Sequence, residues 1–143
     1  MAIWKQDFNL DDLNMMNQNT MGENMGLQFT GIGEDFLEAT IPVDHRNHQP
    51  LGLLHGGASV ALAETLGSVA AHLCIQDTST QSAVGIEINA NHIRSARNGI
   101  VKGKVTPIKI GRQIQIWDIE IKDEKNRLVC KSRLTTMTVK LAQ

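Results

Sequence analysis

Residues Leu53 to Ile75 read LLHGGASVALAETLGSVAAHLCI, and this stretch decides the fold. Behind the glycine pair Gly56-Gly57, small and apolar residues run on for about six helical turns. The run holds one carboxylate, Glu64, and no Lys, Arg or Asp. A surface helix shows a charged face, whereas this one is apolar or small nearly all round, the pattern of a helix buried in a core. A lone Glu in its middle is costly to leave charged unless something compensates it. Glu64 therefore needs an explanation other than packing.

The chain around this helix has 143 residues, enough for one domain spanning 1–143 with a core that needs no staples. Hydrophobic residues make up 41% and charged residues 20%, which sets the class as globular. Aromatics are only 3%, with no Tyr, so the core must be aliphatic and Ala-rich. A net charge of −1 supplies no positive field for a nucleic acid. Cys74 and Cys130 sit in apolar contexts without CxxC spacing, as reduced core residues of a cytoplasmic protein do. The central stretch is long enough to cross a bilayer. However, His55, Glu64 and His72 lie inside it, and Ala, Gly and Ser outnumber Leu and Ile, which argues against a membrane span. The opening MAIWKQDFNL carries Lys5 and Asp7 and lacks an apolar core, so no secretory signal is expected.

Upstream of the helix, the polar loop Asp44–Gly52 (DHRNHQPLG) delivers the chain to its start. Before that loop, Leu27–Gly33 and Phe36–Val43 read as two strands joined by a GED turn, with Pro42 ending the second. Asn9 can cap a short helix, LDDLNMM, whose Asp11 and Asp12 suit the dipole of its first turn. The run NQNTMGEN that follows reads as loop. Downstream, after the loop DTSTQ, come four strands. In Ser82–Ile93 the residues Val84, Ile86, Ile88 and Ala90 share one face. Ile100–Thr106 alternates Val with Lys, and in Gln113–Ile121 Trp117, Ile119 and Ile121 oppose Asp118 and Glu120. Leu128–Val139 is the last, rich in Thr and Val. The order is short helix, two strands, long helix, four strands. It predicts an α+β fold in which a meandering antiparallel sheet wraps the long helix.

Three features could carry chemistry. Glu64 has Ser68 on the same helical face four residues on, a group that can position a water but cannot neutralise a charge. Ala63 and Gly67 beside it leave room for something to approach, which suits a base or nucleophile. At the helix start, unpaired N–H groups and the positive end of the dipole could hold a polarised carbonyl on the Gly56 N–H, with glycine allowing close approach. Gln49, six residues before His55, could add a donor to the same oxygen. Finally, Arg94, Arg97, Lys102, Lys104, Lys109 and Arg112 form a run with no acidic residue, which would suit a ligand with several phosphates. Gly57-Ala58-Ser59-Val60-Ala61 has only a superficial likeness to a nucleophile elbow, because a loop and not a strand precedes it. His45, His48, His55, His72 and His92 lack the companions of a metal site, so no metal or cofactor is expected. Together these features suggest an acyl group on a phosphorylated carrier.

The blocks LGLLHGGASVALAETLGSVAA, VGIEINANHIRSARNG and SRLTT resemble the hotdog-fold acyl-CoA thioesterases, in the PaaI-like 4-hydroxybenzoyl-CoA thioesterase branch whose helix carries a Glu. More closely they resemble the 1,4-dihydroxy-2-naphthoyl-CoA thioesterases of menaquinone synthesis and the related proofreading thioesterase of enterobactin synthesis. The resemblance implies a cytoplasmic homo-oligomer, a dimer of dimers, in which two protomers pair their sheets and build each active site between them. It implies an acyl-CoA substrate with an aromatic or bulky acyl group. Glu64 would be nucleophile or general base, and Ser68 would hold the hydrolytic water. The Gly56 N–H, with Gln49 and His55 nearby, would engage the thioester carbonyl. Gly85, His92, Ile93, Arg94 and Ser95 would line the CoA and substrate site, with Lys109, Ile110, Gly111, Arg112, Gln113 and Ile114 on its other side. Two alternatives stand beside this reading. One is a thioesterase that clears acyl groups from a carrier protein. The other is an acyl-CoA-binding module without catalysis, which the Glu64–Ser68 pair argues against.

Overall fold

The computed structural model describes residues 1–143. Helix α1 (Leu10–Met16) begins as the sequence predicts. Asn9 accepts from the Asp12 N–H, and the Asp12 carboxylate accepts from the Asn9 N–H, so two otherwise unpaired donors are satisfied reciprocally. The expected loop after it contains one more helical turn, α2 (Met21–Asn24). Strands β1 (Gln28–Ile32) and β2 (Leu37–Pro42) form the predicted hairpin, and Pro42 does end β2. The long helix is α3 (Gly56–Leu73), 18 residues, about five turns and not six, because Leu53 and Leu54 still belong to the loop. Strands β3 (Gln81–His92), β4 (Ile100–Ile110), β5 (Ile114–Asp123) and β6 (Leu128–Lys140) complete one antiparallel sheet of order β1-β2-β4-β5-β6-β3. The fold is the predicted α+β arrangement.

Strand β4 runs past its expected end at Thr106 and takes in Pro107. The proline is tolerated because β2 pairs with β4 only from Ile100 to Val105, leaving one side of β4 free beyond that point. A second correction concerns β3. Gly85 pairs with Thr136 and Glu87 with Thr135, so Ile86 is an extra, bulged residue that reverses the alternation. Ala83, Ile88 and Ala90 consequently pack on the core, while Val84 and Ile86 are exposed. The four residues do not share a face.

The sheet packs against α3 as expected. It covers one stripe, Ser59, Leu62, Ala63, Leu66, Gly67, Ala70 and Ala71, at the three-and-four spacing of a single helix face. These pack on Val101, Val105, Trp117, Ile119, Ile121 and Leu134 in a single core. The opposite stripe, including Val60, Glu64, Thr65, Ser68, Val69 and His72, is only half-buried. Its apolar residues are covered in part from the N-terminal side, where Leu13, Met16 and Phe29 face Thr65 and Val69 across a gap of about 250 Å³. Glu64 therefore lies at a boundary, not in the deep core.

Candidate active site

The start of α3 is built by the loop before it. Gln49 N–H donates to the Leu53 carbonyl and Gly52 N–H to the Gln49 carbonyl, closing a tight turn that needs a positive φ of 74° at Gly52. His55 follows as the N-cap in an extended conformation, and its Nδ1 accepts from the Gly57 N–H at 2.7 Å. His55 thus fulfils a capping role. With Gly57 served, the Gly56 N–H is left without an acceptor in the chain, at the positive end of a five-turn helix. The Gln49 side-chain oxygen accepts from the Leu51 N–H, which orients the amide and leaves its NH₂ as the free end.

A cleft of about 310 Å³ opens at this point. Gln49, Gly56, His92, Ile93, Arg94 and Ser95, all expected at the site, line it together. Three apolar residues, Leu53, Leu54 and Val129, complete its walls along with Ser59, a residue dismissed with the false nucleophile motif. The His92 ring closes over Gly56: a Cβ added to Gly56 would meet His92 Nε2 at 2.7 Å. Only glycine leaves this N–H reachable with the imidazole in place.

Glu64 and Ser68 stand two and three turns further along α3, outside this cleft. The Glu64 carboxylate is accommodated by Gly85, where an added Cβ would lie 2.8 Å from its Oε1. Every ion pair in the protein is made by other carboxylates, so Glu64 has no cationic partner. The thiols are not candidates for the nucleophile. Burial pushes Cys74 up to about 11 and Cys130 above the usual thiol range, so both remain protonated and unreactive.

The basic run divides. Lys102 pairs with Glu38 at 3.7 Å and the Lys104 ammonium sits 3.9 Å from the Phe36 ring centroid, so both are committed to the sheet surface. Arg94 is exposed on the cleft and Arg97 on the depression beside it. Lys109 to Ile114 lies at the far end of β4, on the order of 30 Å away at the rise of an extended strand. A single chain does not bring that segment to the cleft.

The thioesterase superfamily model matches residues 51–130, which carry α3, β3 to β5 and every residue of the cleft except Gln49. The chain belongs to the thioesterase superfamily. Other members of that superfamily resemble this chain along nearly its whole length. It is 55% identical over 134 residues to the 1,4-dihydroxy-2-naphthoyl-CoA hydrolase of Escherichia coli, covering 94% of this chain and 97% of that one. It is 52% identical to the proofreading thioesterase EntH of Cronobacter turicensis, with 94% and 96% covered. The crystal structure of a thioesterase from Haemophilus influenzae superposes with a TM-score of 0.95 at 48% identity, over 99% of this chain and 98% of that one. These matches settle the hotdog thioesterase fold. No helix is long and apolar enough to cross a membrane.

Proposed function

We propose that this thioesterase hydrolyses an aromatic or otherwise bulky acyl-CoA, of the 1,4-dihydroxy-2-naphthoyl-CoA type, as a cytoplasmic enzyme of menaquinone synthesis. The observation that carries the reading is the unpaired Gly56 N–H at the cleft, which Gln49 with its free amide NH₂ also lines, followed on α3 by an unpaired Glu64. The thioester carbonyl oxygen accepts from Gly56 and Gln49, which stabilises the negative charge that develops there by a few kcal/mol. Glu64 stands about 12 Å along α3 from Gly56 of its own chain. The carboxylate that serves this carbonyl is therefore the one a second copy of the chain contributes. It either attacks the carbonyl carbon or takes a proton from a water held by Ser68 as that water attacks. The C–S bond then breaks and CoA leaves as the thiol. Where water attacked, the acid is released directly; where Glu64 attacked, a water then hydrolyses the acyl–Glu64 anhydride to release the acid and regenerate the carboxylate. A positioned base of this kind contributes about 10²–10⁴-fold.

The site is completed by a second copy of the chain. Strand β3 is an edge of 12 residues whose outer side is unpaired, with Val84 and Ile86 exposed along it. An edge of that length is a template for another strand. The cleft stands at the His92 end of β3. Ile114 pairs with Met137, and Met137 with Val84, so the β4–β5 turn stands near the Gln81 end. Antiparallel pairing of two β3 edges sets the Gln81 end of one against the His92 end of the other. The partner would thereby bring its own Lys109–Ile114 segment towards the cleft, which unites the two halves of the predicted CoA site. A dimer of dimers is the assembly we infer.

A second reading, removal of acyl groups from a carrier protein, is favoured by the exposed Arg94 on the cleft and Arg97 on the depression beside it, a basic dock for an acidic partner. The test is thiol release over benzoyl-, hydroxynaphthoyl-, phenylacetyl- and aliphatic CoA substrates and acyl-loaded carrier protein, with wild type and Glu64→Ala. Fast release from the aryl-CoA substrates, abolished in the variant, is expected. Release from carrier protein alone would select the second reading, and release undiminished in Glu64→Ala would overturn the role of Glu64.

A further inference from the structure

Ser59 is the one residue on the core-facing stripe of α3 that carries a polar side chain. It is 1% exposed and yet lines the cleft, so what remains open of it faces the space a ligand would fill. Of the side chains on α3 and its cap, only His55 and Thr65 make hydrogen bonds. Thr65 returns its hydroxyl to the Ala61 carbonyl, four residues back, at 2.7 Å. The equivalent acceptor for Ser59 is the His55 carbonyl, which already takes the Ala58 N–H at 2.9 Å and the Ser59 N–H at 3.3 Å. The Ser59 hydroxyl is therefore left without a partner. A buried hydroxyl in that condition is unfavourable in a residue that serves packing alone.

The cleft around it is graded. His92, Ile93, Arg94 and Ser95 are exposed, whereas Leu54, Ser59 and Val129 are buried. Charge stands at the rim and the floor is apolar with one hydroxyl, the arrangement of a small-molecule site whose few polar groups fix the ligand's orientation. Ser59 comes three residues after Gly56, and positions three apart on a helix are neighbours about 5–6 Å from each other. Side chains on a helix lean towards its N-terminus, which carries the Ser59 side chain back over the turn that opens with Gly56.

We infer that Ser59 is a substrate-contact residue whose hydroxyl pairs with the polar group that the substrate carries next to its thioester carbonyl. The inference rests on the reading of Gly56 as the carbonyl site. Two groups of an aryl-CoA have this chemistry. One is a ring hydroxyl ortho to the carbonyl, on the acyl side; the other is the first amide of the thiol arm. A serine hydroxyl serves either, because it donates and accepts. Ser59 makes and breaks no covalent bond.

The test compares Ser59→Ala with wild type on two substrates, a naphthoyl-CoA with a hydroxyl ortho to the carbonyl and the naphthoyl-CoA that lacks it. Thiol release and thermal denaturation are read on the same preparations. Stability should hold or rise, since Ala is the better helix former and the hydroxyl has no partner in the chain to lose. On the hydroxylated substrate kcat/KM should fall about tenfold. A fall confined to that substrate assigns the ring hydroxyl as the partner, and an equal fall on both assigns the amide of the arm. Unchanged kcat/KM on both substrates, or a fall that only accompanies a loss of stability, overturns the proposal. A wild type that cleaves neither thioester defeats the functional reading instead. Calorimetric binding of the hydroxylated thioester then decides for Ser59: weaker binding by Ser59→Ala upholds the contact, and equal binding removes it.

Discussion

At its C-terminal end α3 is tied off. The Leu73 carbonyl accepts from the Lys5 N–H at 2.8 Å and the Ile75 carbonyl from Gln6 Nε2 at 2.6 Å. The N-terminal strap that provides these donors is itself pinned, since Trp4 Nε1 donates to the Gly33 carbonyl and the Trp4 ring meets Phe8 edge-on. The N-terminal end is treated in the opposite way. Its cap serves Gly57 and leaves Gly56 open towards a cleft, with Gln49 fixed beside it as a second donor. A helix end without partners is a cost in a purely structural element. The contrast teaches that the chain satisfies its backbone groups where α3 is scaffold and leaves the Gly56 N–H open at the end where the proposed reading has a ligand supply the partner.

The comparison is broken most forcefully at Gly56. In Gly56→Ala the N–H survives, but the new Cβ would lie 2.7 Å from His92 Nε2 and must displace the imidazole. Catalytic efficiency should fall on the order of tenfold to a hundredfold, because a misplaced group near the reacting atoms has effects of that size. Stability should hold or rise slightly, since Ala is the better helix former. Thiol release and thermal denaturation on the same preparation check both halves. Full activity with His92 displaced would show that the open end is not the carbonyl site.

At the other end Gln6→Ala removes the donor to Ile75. We expect about 1 kcal/mol of destabilisation and an unchanged kcat, read by denaturant unfolding and by turnover. A fall in kcat without a fall in stability would mean that the two ends of α3 are coupled and not separate in function.

The smallest effect is expected on the sheet face turned away from α3, where Lys131 bonds Asp118 at 2.7 Å and Glu120 at 3.1 Å. The Lys131 hydrogen bond, helped by Lys122, holds Glu120 below the usual carboxylate range. A depressed carboxylate contributes stability that is present above its unfolded value and lost as pH falls through the folded one. The group is largely screened by solvent, so the contribution is small. Between neutral pH and about pH 3, Lys131→Met should therefore lose slightly less stability than wild type, by thermal denaturation, with turnover unaffected.

Much of this was legible in the chain. The α1 cap at Asn9, the first hairpin and the long helix followed by four strands all stand where periodicity and capping residues set them. Within the site, Gln49, Gly56 and the His92–Ser95 segment converge as expected. The errors have local causes. Ile86 looks like one more residue of an alternating strand, and only the pairing of Gly85 and Glu87 with adjacent residues of β6 reveals the bulge. Lys102 and Lys104 look like part of a basic rim until their cross-strand and ring partners are seen. The seat that Gly85 of β3 makes for Glu64 of α3 gives no signal at all, since helix and strand meet there only in the folded chain.

The sequence by itself determined the fold class, the helix that organises it and the residue types able to do chemistry, because helix and strand periodicity and capping are written within a few neighbouring positions. Only the tertiary structure decided which face of α3 is covered, which glycine makes room for Glu64 and which exposed strand edge is left for a partner. Those outcomes depend on strand order and register, which bring together residues distant in the chain, and no local pattern encodes them.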